Sequence, residues 1–390
     1  MDPAKNPFEP GAGTDPPYLV GRETLIETAD AAVRRASGGR PLRGQVFYGI
    51  RGVGKTVLLR RITERAATHD AYVVDLETPE DRSLASLLVP EFRKLVIELS
   101  LEARAKDKLE RAARALHAFA ATFEIKIGDV GVKVKTPKGL ADSGDLDADL
   151  TELFATVGEL AKAQKRVVVI SLDEMQYLSR EDLSALLTAV HRANQLSLPI
   201  GVFGAGLPNL LARAGDAKSY SERLFQFVAL GAFPNDDAER AIREPIETAG
   251  AKIDKAALAL IVEETRGYPY FLQEWGFHAW NAAARSPIRR ADVARASTTA
   301  IANLDVSFFR VRYDRLTPAE KRYLRAMAEL GPGPHGSGEV ARVLDKKVTQ
   351  VATTRKRVIE KGMAYEMSYG TVDFTVPLFD EFMKREMPKL

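Results

Sequence analysis

Val46-Phe47-Tyr48-Gly49-Ile50-Arg51-Gly52-Val53-Gly54-Lys55-Thr56 is the stretch that decides the fold of this 390-residue chain. The eight residues from Gly49 to Thr56 match the G-x-x-x-x-G-K-S/T pattern in full, and a short apolar run precedes them. A glycine loop between a buried strand and a helix can turn its backbone N–H groups onto phosphate oxygens, and the positive end of the helix dipole adds to the attraction. The sequence therefore predicts a strand, a phosphate-binding loop and a helix that contains residues 57–62.

Two side chains of this loop have specific predicted roles. Lys55 is expected to reach the β- and γ-phosphates, and the Thr56 hydroxyl is placed to occupy one position on a magnesium ion, which prefers oxygen ligands. A chance glycine turn is the alternative, and it is disfavoured because the flanking strand and helix lie where the motif needs them. The residues predicted to bind nucleotide along the loop are Gly49, Ile50, Arg51, Gly52, Val53, Gly54, Lys55, Thr56 and Val57.

The second motif is the apolar run from Arg166 to Leu172, which is followed by the adjacent carboxylates Asp173 and Glu174. A buried parallel strand places its last residues at the carboxyl edge of the sheet, beside the phosphate loop. We expect Asp173 to hold magnesium through water and Glu174 to polarise an attacking water as a general base. A strand that ends in Asp-Glu also occurs by accident, but its coincidence with the glycine loop favours a site that hydrolyses a phosphoanhydride.

Further apolar runs predict the rest of the sheet. Strands are expected over residues 71–76, 198–204 and 225–230, and their alternation with helical segments indicates a parallel sheet covered by helices on both faces. Helical spacing over 90–121 and alternation over 124–135 predict a long helical stretch and then a hairpin, so residues 90–150 form an insertion. The four aspartates between 142 and 149 lack the order of a calcium loop and predict a solvated loop that caps a helix beginning near Leu150.

Composition excludes several classes of protein. There is no cysteine, so disulfides and thiolate sites are excluded, and the five histidines show no metal-ligand spacing that would favour zinc. No apolar run approaches the roughly 20 residues of a membrane span, and the start lacks the features of a signal peptide. The sequence therefore predicts a cytoplasmic protein with no membrane partner. A net charge of +3 does not by itself imply nucleic-acid binding.

Four segments resemble the AAA+ ATPases close to replication initiators, and they are equally similar to the signal-transducing STAND ATPases. They are Leu19-Val20-Gly21-Arg22-Glu23, the Asp173-Glu174 strand, Glu222-Arg223-Leu224-Phe225 and Gly267-Tyr268-Pro269. The Gly-Arg-Glu box lies beside adenine in that group, so the resemblance implies a base pocket lined by Tyr18, Leu19, Val20 and Arg22. It also implies that Arg223 acts catalytically on a neighbouring subunit's γ-phosphate, with an ordinary surface salt bridge as the alternative.

The chain departs from the AAA+ pattern at both sensor positions. Gly204-Ala205-Gly206 stands where many AAA+ proteins carry a polar first sensor, and no arginine occurs three residues after Gly267. Gly267-Tyr268-Pro269 instead resembles the Gly-x-Pro of STAND lids, in which the backbone and the proline, here Pro269, pack near the nucleotide. This resemblance implies a slow switch and not a fast motor.

The remaining chain predicts a helical lid over residues 233–305 and a winged helix over 306–390. Trp275 and Trp280 lie at helical spacing and are expected in the lid core and not in a base-stacking platform. Three helices followed by a β-hairpin resemble the winged helix-turn-helix plan. Its third helix region carries six basic residues against Glu360, a local charge of +5, and its candidate DNA contacts are Gln350, Thr353, Thr354, Arg355 and Arg357.

Two interpretations of this module stay open. The basic helix favours double-stranded DNA, but in STAND-like switches a winged helix packs on the ATPase core, and Glu366 and Asp373 put negative charge on the wing. The predicted organisation is a 1–42 segment with the adenine-side box, a 43–232 P-loop ATPase core, the lid and the winged helix. We expect a slow, magnesium-dependent ATPase that binds ATP and ADP and acts as a DNA-associated switch. The alternative is a signalling or assembly scaffold that contacts a protein partner or a second copy of itself.

Overall fold

A five-stranded parallel sheet forms the centre of the computed structural model, which describes residues 1–11, 13, 16, 19–100, 105–126, 139–368 and 370–390. The strands lie in the order β2-β3-β4-β1-β5, and all neighbours are parallel. All five are the strands predicted from apolar runs. Their bounds are Gln45–Tyr48 (β1), Tyr72–Glu77 (β2), Val168–Asp173 (β3), Ile200–Gly206 (β4) and Gln226–Ala229 (β5).

Helices cover both faces of this sheet, which confirms the predicted α/β P-loop NTPase fold. Alternate residues of β3 point to opposite faces: Val168 and Ile170 pack against α3–α6, whereas Val169 packs against α1 and α2. Because β3 and β4 are buried from both sides, they read as continuous apolar runs. The helices are Glu23–Ser37 (α1), Lys55–Ala67 (α2), Leu84–Ser100 (α3), Lys106–Thr122 (α4), Leu146–Ala163 (α5), Arg180–Gln195 (α6), Leu210–Ala217 (α7) and Ser221–Leu224 (α8), with short 3-10 helices at Pro3–Lys5 and Met175–Tyr177.

The connection from β2 to β3 differs from expectation at its acidic segment. Helix α5 begins at Leu146 and not near Leu150, because the Asp145 side chain caps it by accepting from the Ala148 N–H. The loop over 143–145 is exposed and caps this helix as predicted, but Asp149 belongs to α5, is only 3% exposed and accepts from the backbone N–H groups of residues 143 and 144. The predicted hairpin over 124–135 lies largely outside the described residues.

Four helices form the lid, and the last of them continues into the C-terminal part of the chain. They are Asn235–Thr248 (α9), Lys255–Thr265 (α10), Pro269–Ala282 (α11) and Arg290–Leu304 (α12). A π-helical turn, Asp305–Phe309, joins α12 to Arg310–Tyr313 (α13) without a break in the helix. Trp275 and Trp280 are 1% and 3% exposed, so the prediction that they belong to the core is confirmed.

Residues 306–390, called here the C-terminal module, contain the three helices and the hairpin that the sequence predicts. Two further elements were not predicted: β6, which pairs with β8, and the last helix, α17. Phe379 and Phe382 of that helix belong to the same hydrophobic cluster as Trp275, so the lid and the module share one core. The bounds are Pro318–Glu329 (α14), His335–Gly336 (β6), Ser337–Val343 (α15), Val348–Glu360 (α16), Ala364–Ser368 (β7), Thr371–Phe374 (β8) and Phe379–Glu386 (α17).

Replacement of Lys361 by Met tests a buried charge pair that fastens α16 to α14. Glu320 is buried and accepts hydrogen bonds from the Lys361 ammonium at 2.7 Å and from the Thr317 N–H at 2.8 Å. Burial alone would raise the pKa of Glu320, but these hydrogen bonds outweigh it and hold the pKa below its usual value. Because Lys361 is partly exposed, we expect the variant to lower the free energy of unfolding by about 1–2 kcal/mol near neutral pH.

Urea denaturation at two pH values measures this effect. A lowered carboxyl pKa stabilises the fold above the usual carboxyl range and loses that contribution as the pH falls through the folded pKa. The difference between wild type and Lys361→Met should therefore narrow below about pH 4. Lys356→Met is the control, because the Lys356 side chain is 77% exposed. Equal stability of wild type and Lys361→Met near neutral pH would contradict the assigned role of the pair.

Candidate functional site

The loop after β1 is shaped by two glycines that no other residue could replace without strain. A Cβ atom on Gly49 would lie 2.2 Å from the carbonyl oxygen of Leu230, far inside van der Waals contact. Gly54 has a φ of +85°, in the left-handed region that side chains disfavour, and α2 begins at the next residue. The glycines therefore let the backbone turn tightly at the carboxyl edge of the sheet and enter the helix.

This loop opens into a cavity of about 450 Å³ that all parts of the chain enclose. The loop and the start of α2 line it from Arg51 to Val57, and Glu174 lines it from the end of β3. The N-terminal segment adds Leu19, Val20 and Arg22, and the lid adds Pro269 and Tyr270. The C-terminal module contributes Ser307, Phe308 and Arg312. The volume and the mixture of apolar and charged walls suit a small anionic ligand.

Lys55 is the buried cation of the loop. Its ammonium donates hydrogen bonds to the carbonyl oxygens of Gly49 at 3.0 Å and Ile50 at 2.9 Å. Burial lowers the pKa of Lys55 to about 8, although the carboxylates of Glu174 and Asp173 act in the opposite direction. Burial thus disfavours the charge on Lys55, and an anion in the cavity would restore it.

The acid pair meets the loop as the sequence predicts. The Thr56 hydroxyl donates to the Asp173 carboxylate at 2.5 Å, although 117 positions separate the two residues. Burial raises the pKa of Asp173, and the hydrogen bonds from Thr56 and from the Glu174 N–H oppose that shift. A hydroxyl and a carboxylate oxygen at this distance are a donor set that suits magnesium. Within the described ranges, no group of three or more His, Cys, Asp or Glu side chains could hold a metal ion.

Glu174 projects from a strained position into the same cavity. Its φ is +55°, which turns the side chain away from the direction of Asp173. The carboxylate accepts a hydrogen bond from the Gln176 amide and lies 3.7 Å from the Arg51 guanidinium. Thr78, which the sequence analysis missed, donates its hydroxyl to the carbonyl oxygens of Asp173 and Glu174 at 2.8 Å and 2.6 Å and fixes this turn.

The adenine-side box lies at the other end of the cavity. The Arg22 guanidinium donates to the Gly231 carbonyl oxygen at 2.9 Å and lies 4.9 Å from the centre of the Phe233 ring. Leu19 and Val20 line the cavity beside it, whereas Tyr18 lies outside the described residues. On the lid, Pro269 lines the cavity and the Tyr270 N–H donates to the Gly52 carbonyl oxygen at 3.1 Å.

Arg223 does not join this assembly. It is exposed on α8 and is not among the residues that line the cavity. It cannot contribute to the cavity of its own chain in this arrangement, and contact with a neighbouring copy stays a prediction.

The predicted basic face of α16 is smaller than its sequence indicates. Arg355 is ion-paired with Glu366 at 2.7 Å, and the Gln350 side chain accepts from the Lys347 N–H at 2.8 Å as part of the helix cap. Lys361 is paired with Glu320, and Lys356 lies 3.6 Å from Glu360. The local charge of +5 therefore overstates the positive charge that the α16 region can offer to DNA. Thr353 and Arg357 are exposed, and Thr354 is half-buried.

Two contacts of the C-terminal module with the loop were also missed. The Arg51 N–H donates to the Thr375 carbonyl oxygen at 2.9 Å, and Arg312 lines the cavity. No local pattern could have revealed either residue, because each reaches the loop through the packing of the module against the core.

Comparison with known proteins agrees with this geometry. The family model of the AAA ATPase domain matches residues 18–203. This part of the chain is therefore similar to AAA ATPase domains. The resemblance to the AAA+ ATPases that the sequence predicts is thereby confirmed. A second family model, a domain of unknown function (DUF8462), matches residues 306–383.

Individual relatives extend over most of the chain. An uncharacterized HTH-type transcriptional regulator of Methanocaldococcus jannaschii is 24% identical over 367 residues, which cover 90% of this chain and 85% of that protein. The Walker-type ATPase of Pyrococcus abyssi has a TM-score of 0.57 and 15% identity, with 97% of this chain and 99% of that chain covered. The Aeropyrum pernix Orc1 protein in complex with DNA has a TM-score of 0.45 and 16% identity, with 98% and 96% covered. The likeness to the Pyrococcus protein shows a shared fold. In the described part of the chain, no helix is long and apolar enough to cross a bilayer.

Replacement of Gly49 by Ala tests the close approach of the loop to the sheet. The added methyl group would overlap the Leu230 carbonyl, so the backbone must shift, and we expect a loss of about 3 kcal/mol or more in the free energy of unfolding. Gly231→Ala is the matched control, because a Cβ there meets nothing within 4 Å and the residue has no positive φ. Urea denaturation measures both variants, and comparable losses in the two would rule out this explanation.

Proposed function

We propose that this protein binds ATP with magnesium, hydrolyses it slowly and acts as a nucleotide-dependent switch. One observation carries the proposal: the glycine loop, Lys55, Thr56 and Glu174 line one cavity at the edge of a parallel sheet, and the Thr56 hydroxyl donates to the Asp173 carboxylate beside it. The AAA ATPase domain match over residues 18–203 supports nucleotide binding there. The adenine base would lie toward Arg22 and Val20, with the phosphates at the loop.

Each residue has a role that its position supports. Lys55 and the N–H groups of the loop bind the phosphates, and the charge on Lys55 is stabilised when they enter. Thr56 and Asp173 would hold magnesium, which neutralises phosphate charge when it is bound. Glu174 would orient the attacking water and accept its proton.

The contacts of Glu174 support the proposal of slow turnover. Its carboxylate is engaged by Gln176 and lies close to Arg51, so it has to leave these partners before it can activate water. Gln176 is itself fixed, because its amide oxygen accepts from the Leu207 N–H at 2.9 Å. A base held in this way is suited to an occasional reaction and not to rapid cycling.

The contacts around the loop support a switch. The lid reaches the loop through the Tyr270 N–H, and the C-terminal module reaches it through the Thr375 carbonyl oxygen. A ligand that changes the conformation or charge of the loop therefore changes the contacts of both regions. Differential binding of ATP and ADP would shift the balance between two arrangements of the module.

Two substitutions separate binding from chemistry. Lys55→Ala removes the loop cation and is expected to weaken ATP binding by about a hundredfold, which isothermal titration calorimetry measures. Glu174→Gln keeps the size of the side chain and should retain ATP binding, while turnover falls by about a hundredfold or more. Phosphate release under saturating ATP measures that loss. Unchanged turnover in Glu174→Gln would reject Glu174 as the base.

Association with double-stranded DNA is the second part of the proposal. Lys346, Lys347 and Arg357 are exposed, and none of them forms an ion pair with another described residue. They lie on α16 and on the turn before it, where a winged helix would meet the major groove. The description of the Methanocaldococcus relative as an HTH-type transcriptional regulator supports this interpretation.

Fluorescence anisotropy with duplex DNA tests the second part. We expect salt-sensitive binding, and the double variant Lys347→Ala, Arg357→Ala should reduce the slope of log affinity against log salt by about 2. Lys252→Ala, Lys255→Ala removes the same charge from an exposed part of the lid and serves as the control. Absence of salt-sensitive binding, with and without ATP, would favour the scaffold alternative.

A further inference from the structure

Arg312 is a cation of the C-terminal module that reaches the nucleotide cavity. It belongs to α13, outside the segment that matches the AAA ATPase domain. Its guanidinium lies 4.2 Å from the centre of the Phe308 ring and donates to the Phe308 carbonyl oxygen at 2.5 Å. These two contacts hold the side chain along the wall of the cavity and leave most of its N–H donors free.

The described residues that line the cavity carry more positive than negative charge. Among them are four cationic side chains, Arg22, Arg51, Lys55 and Arg312, and two carboxylates, Glu9 and Glu174. Arg312 forms no ion pair with any residue of the described ranges. Burial lowers the pKa of Arg312 to about 10, and the nearby charge of Arg51 acts in the same direction. A partly buried cation beside another cation is unfavourable unless an anion enters between them.

The other arginines near the site are already committed. Arg22 is bound to the Gly231 carbonyl oxygen and stacks on Phe233 at the base end of the cavity. Arg223 is exposed and does not line the cavity. Arg51 lies 3.7 Å from Glu174 and donates to the Tyr177 hydroxyl at 3.1 Å. Among the described arginines that line the cavity, Arg312 therefore differs from Arg51 in having no carboxylate partner, and from Arg22 in lying near Arg51 and not at the base end.

We infer that Arg312 binds the terminal phosphate of ATP and makes the protein distinguish ATP from ADP. This inference rests on the proposed function and names the residue that reads its nucleotide state. A guanidinium is suited to the task, because its planar fork can donate two hydrogen bonds to one phosphate. Arg312 would thus take the place of the second-sensor arginine, which AAA+ proteins carry in the lid and which this chain lacks after Gly267.

The position of Arg312 gives this recognition a consequence for the module. Arg51 is held to the module by its backbone hydrogen bond to Thr375, and Arg312 follows directly from the lid helix α12. A terminal phosphate between the two guanidinium groups would replace repulsion by attraction and hold the module against the loop. After hydrolysis and loss of that phosphate, the repulsion between Arg51 and Arg312 returns and loosens the module.

Nucleotide selectivity of the full chain tests the inference. Isothermal titration with magnesium ATP and with magnesium ADP is compared for wild type, Arg312→Met and Arg312→Lys. Arg312→Met keeps an apolar contact for Phe308 and should weaken ATP binding by about tenfold or more, while ADP binding changes by less than about threefold. Arg312→Lys keeps the charge without the fork and should show an intermediate loss. Arg315→Met is the matched control, because Arg315 is exposed on the segment after α13.

Thermal unfolding supplies a readout that does not depend on calorimetry. Without nucleotide, Arg312→Met should unfold at the same temperature as wild type or higher, because a repulsion is relieved. The extra stabilisation that ATP gives over ADP should disappear in this variant and persist in Arg315→Met. If Arg312→Met does not fold, Arg312→Lys is measured in its place.

The possible failures are distinguishable. If wild type binds neither nucleotide, both the proposed function and this inference are wrong. If wild type binds both, but Arg312→Met weakens ATP and ADP equally or not at all, the inference is overturned and the proposed function stands. An equal loss of ATP preference in Arg315→Met would also overturn it, since general charge would then explain the effect.

Discussion

The Thr56 hydroxyl and the Asp173 carboxylate are 2.5 Å apart, although 117 positions separate the two residues in the sequence. The site depends on the parallel arrangement of strands that makes this hydrogen bond possible. Strands that run parallel end at the same edge of their sheet. At that edge the first turn of α2, which follows β1, lies close to the end of β3. Strand β4 lies between β1 and β3 in the sheet. A strand order that placed β1 and β3 at opposite sides of the sheet would separate the phosphate loop from the acid pair, and the lid and the C-terminal module would have no common site to enclose.

Each region of the chain contributes side chains to the cavity at the phosphate loop. The lid, the N-terminal segment and the C-terminal module all border one cavity, and the described side chains that line it carry an excess of positive charge. The lid and the module also share one hydrophobic cluster, so neither can move far without the other. Charge in the cavity and the arrangement of the outer regions are therefore coupled through direct contacts, and no long relay of residues is needed to explain a response to nucleotide.

The sequence predicts the features that depend on local pattern. The strands follow from apolar runs, the loop from its glycines, and the acid pair from its place after a buried strand. The start of α5 was misplaced because the aspartates were all assigned to the preceding loop, whereas Asp145 caps the helix and Asp149 lies within its first turn and accepts from the loop backbone. The charge of α16 was overestimated because its partners, Glu320 and Glu366, lie on other elements. Arg312 and Thr375 could not be found, since their approach to the loop is a result of tertiary packing.

The uninterrupted helix from α12 through the π-helical turn into α13 has a mechanical meaning. Residues 290–313 form one continuous helical segment that belongs to the lid at one end and leads into the module at the other. A change in the orientation of the lid is therefore passed directly to the module. The segment also sets the direction of Arg312: each residue turns a helix by about 100°, so a single residue inserted near Val306 would point Arg312 away from the loop and disturb the core that the lid and the module share.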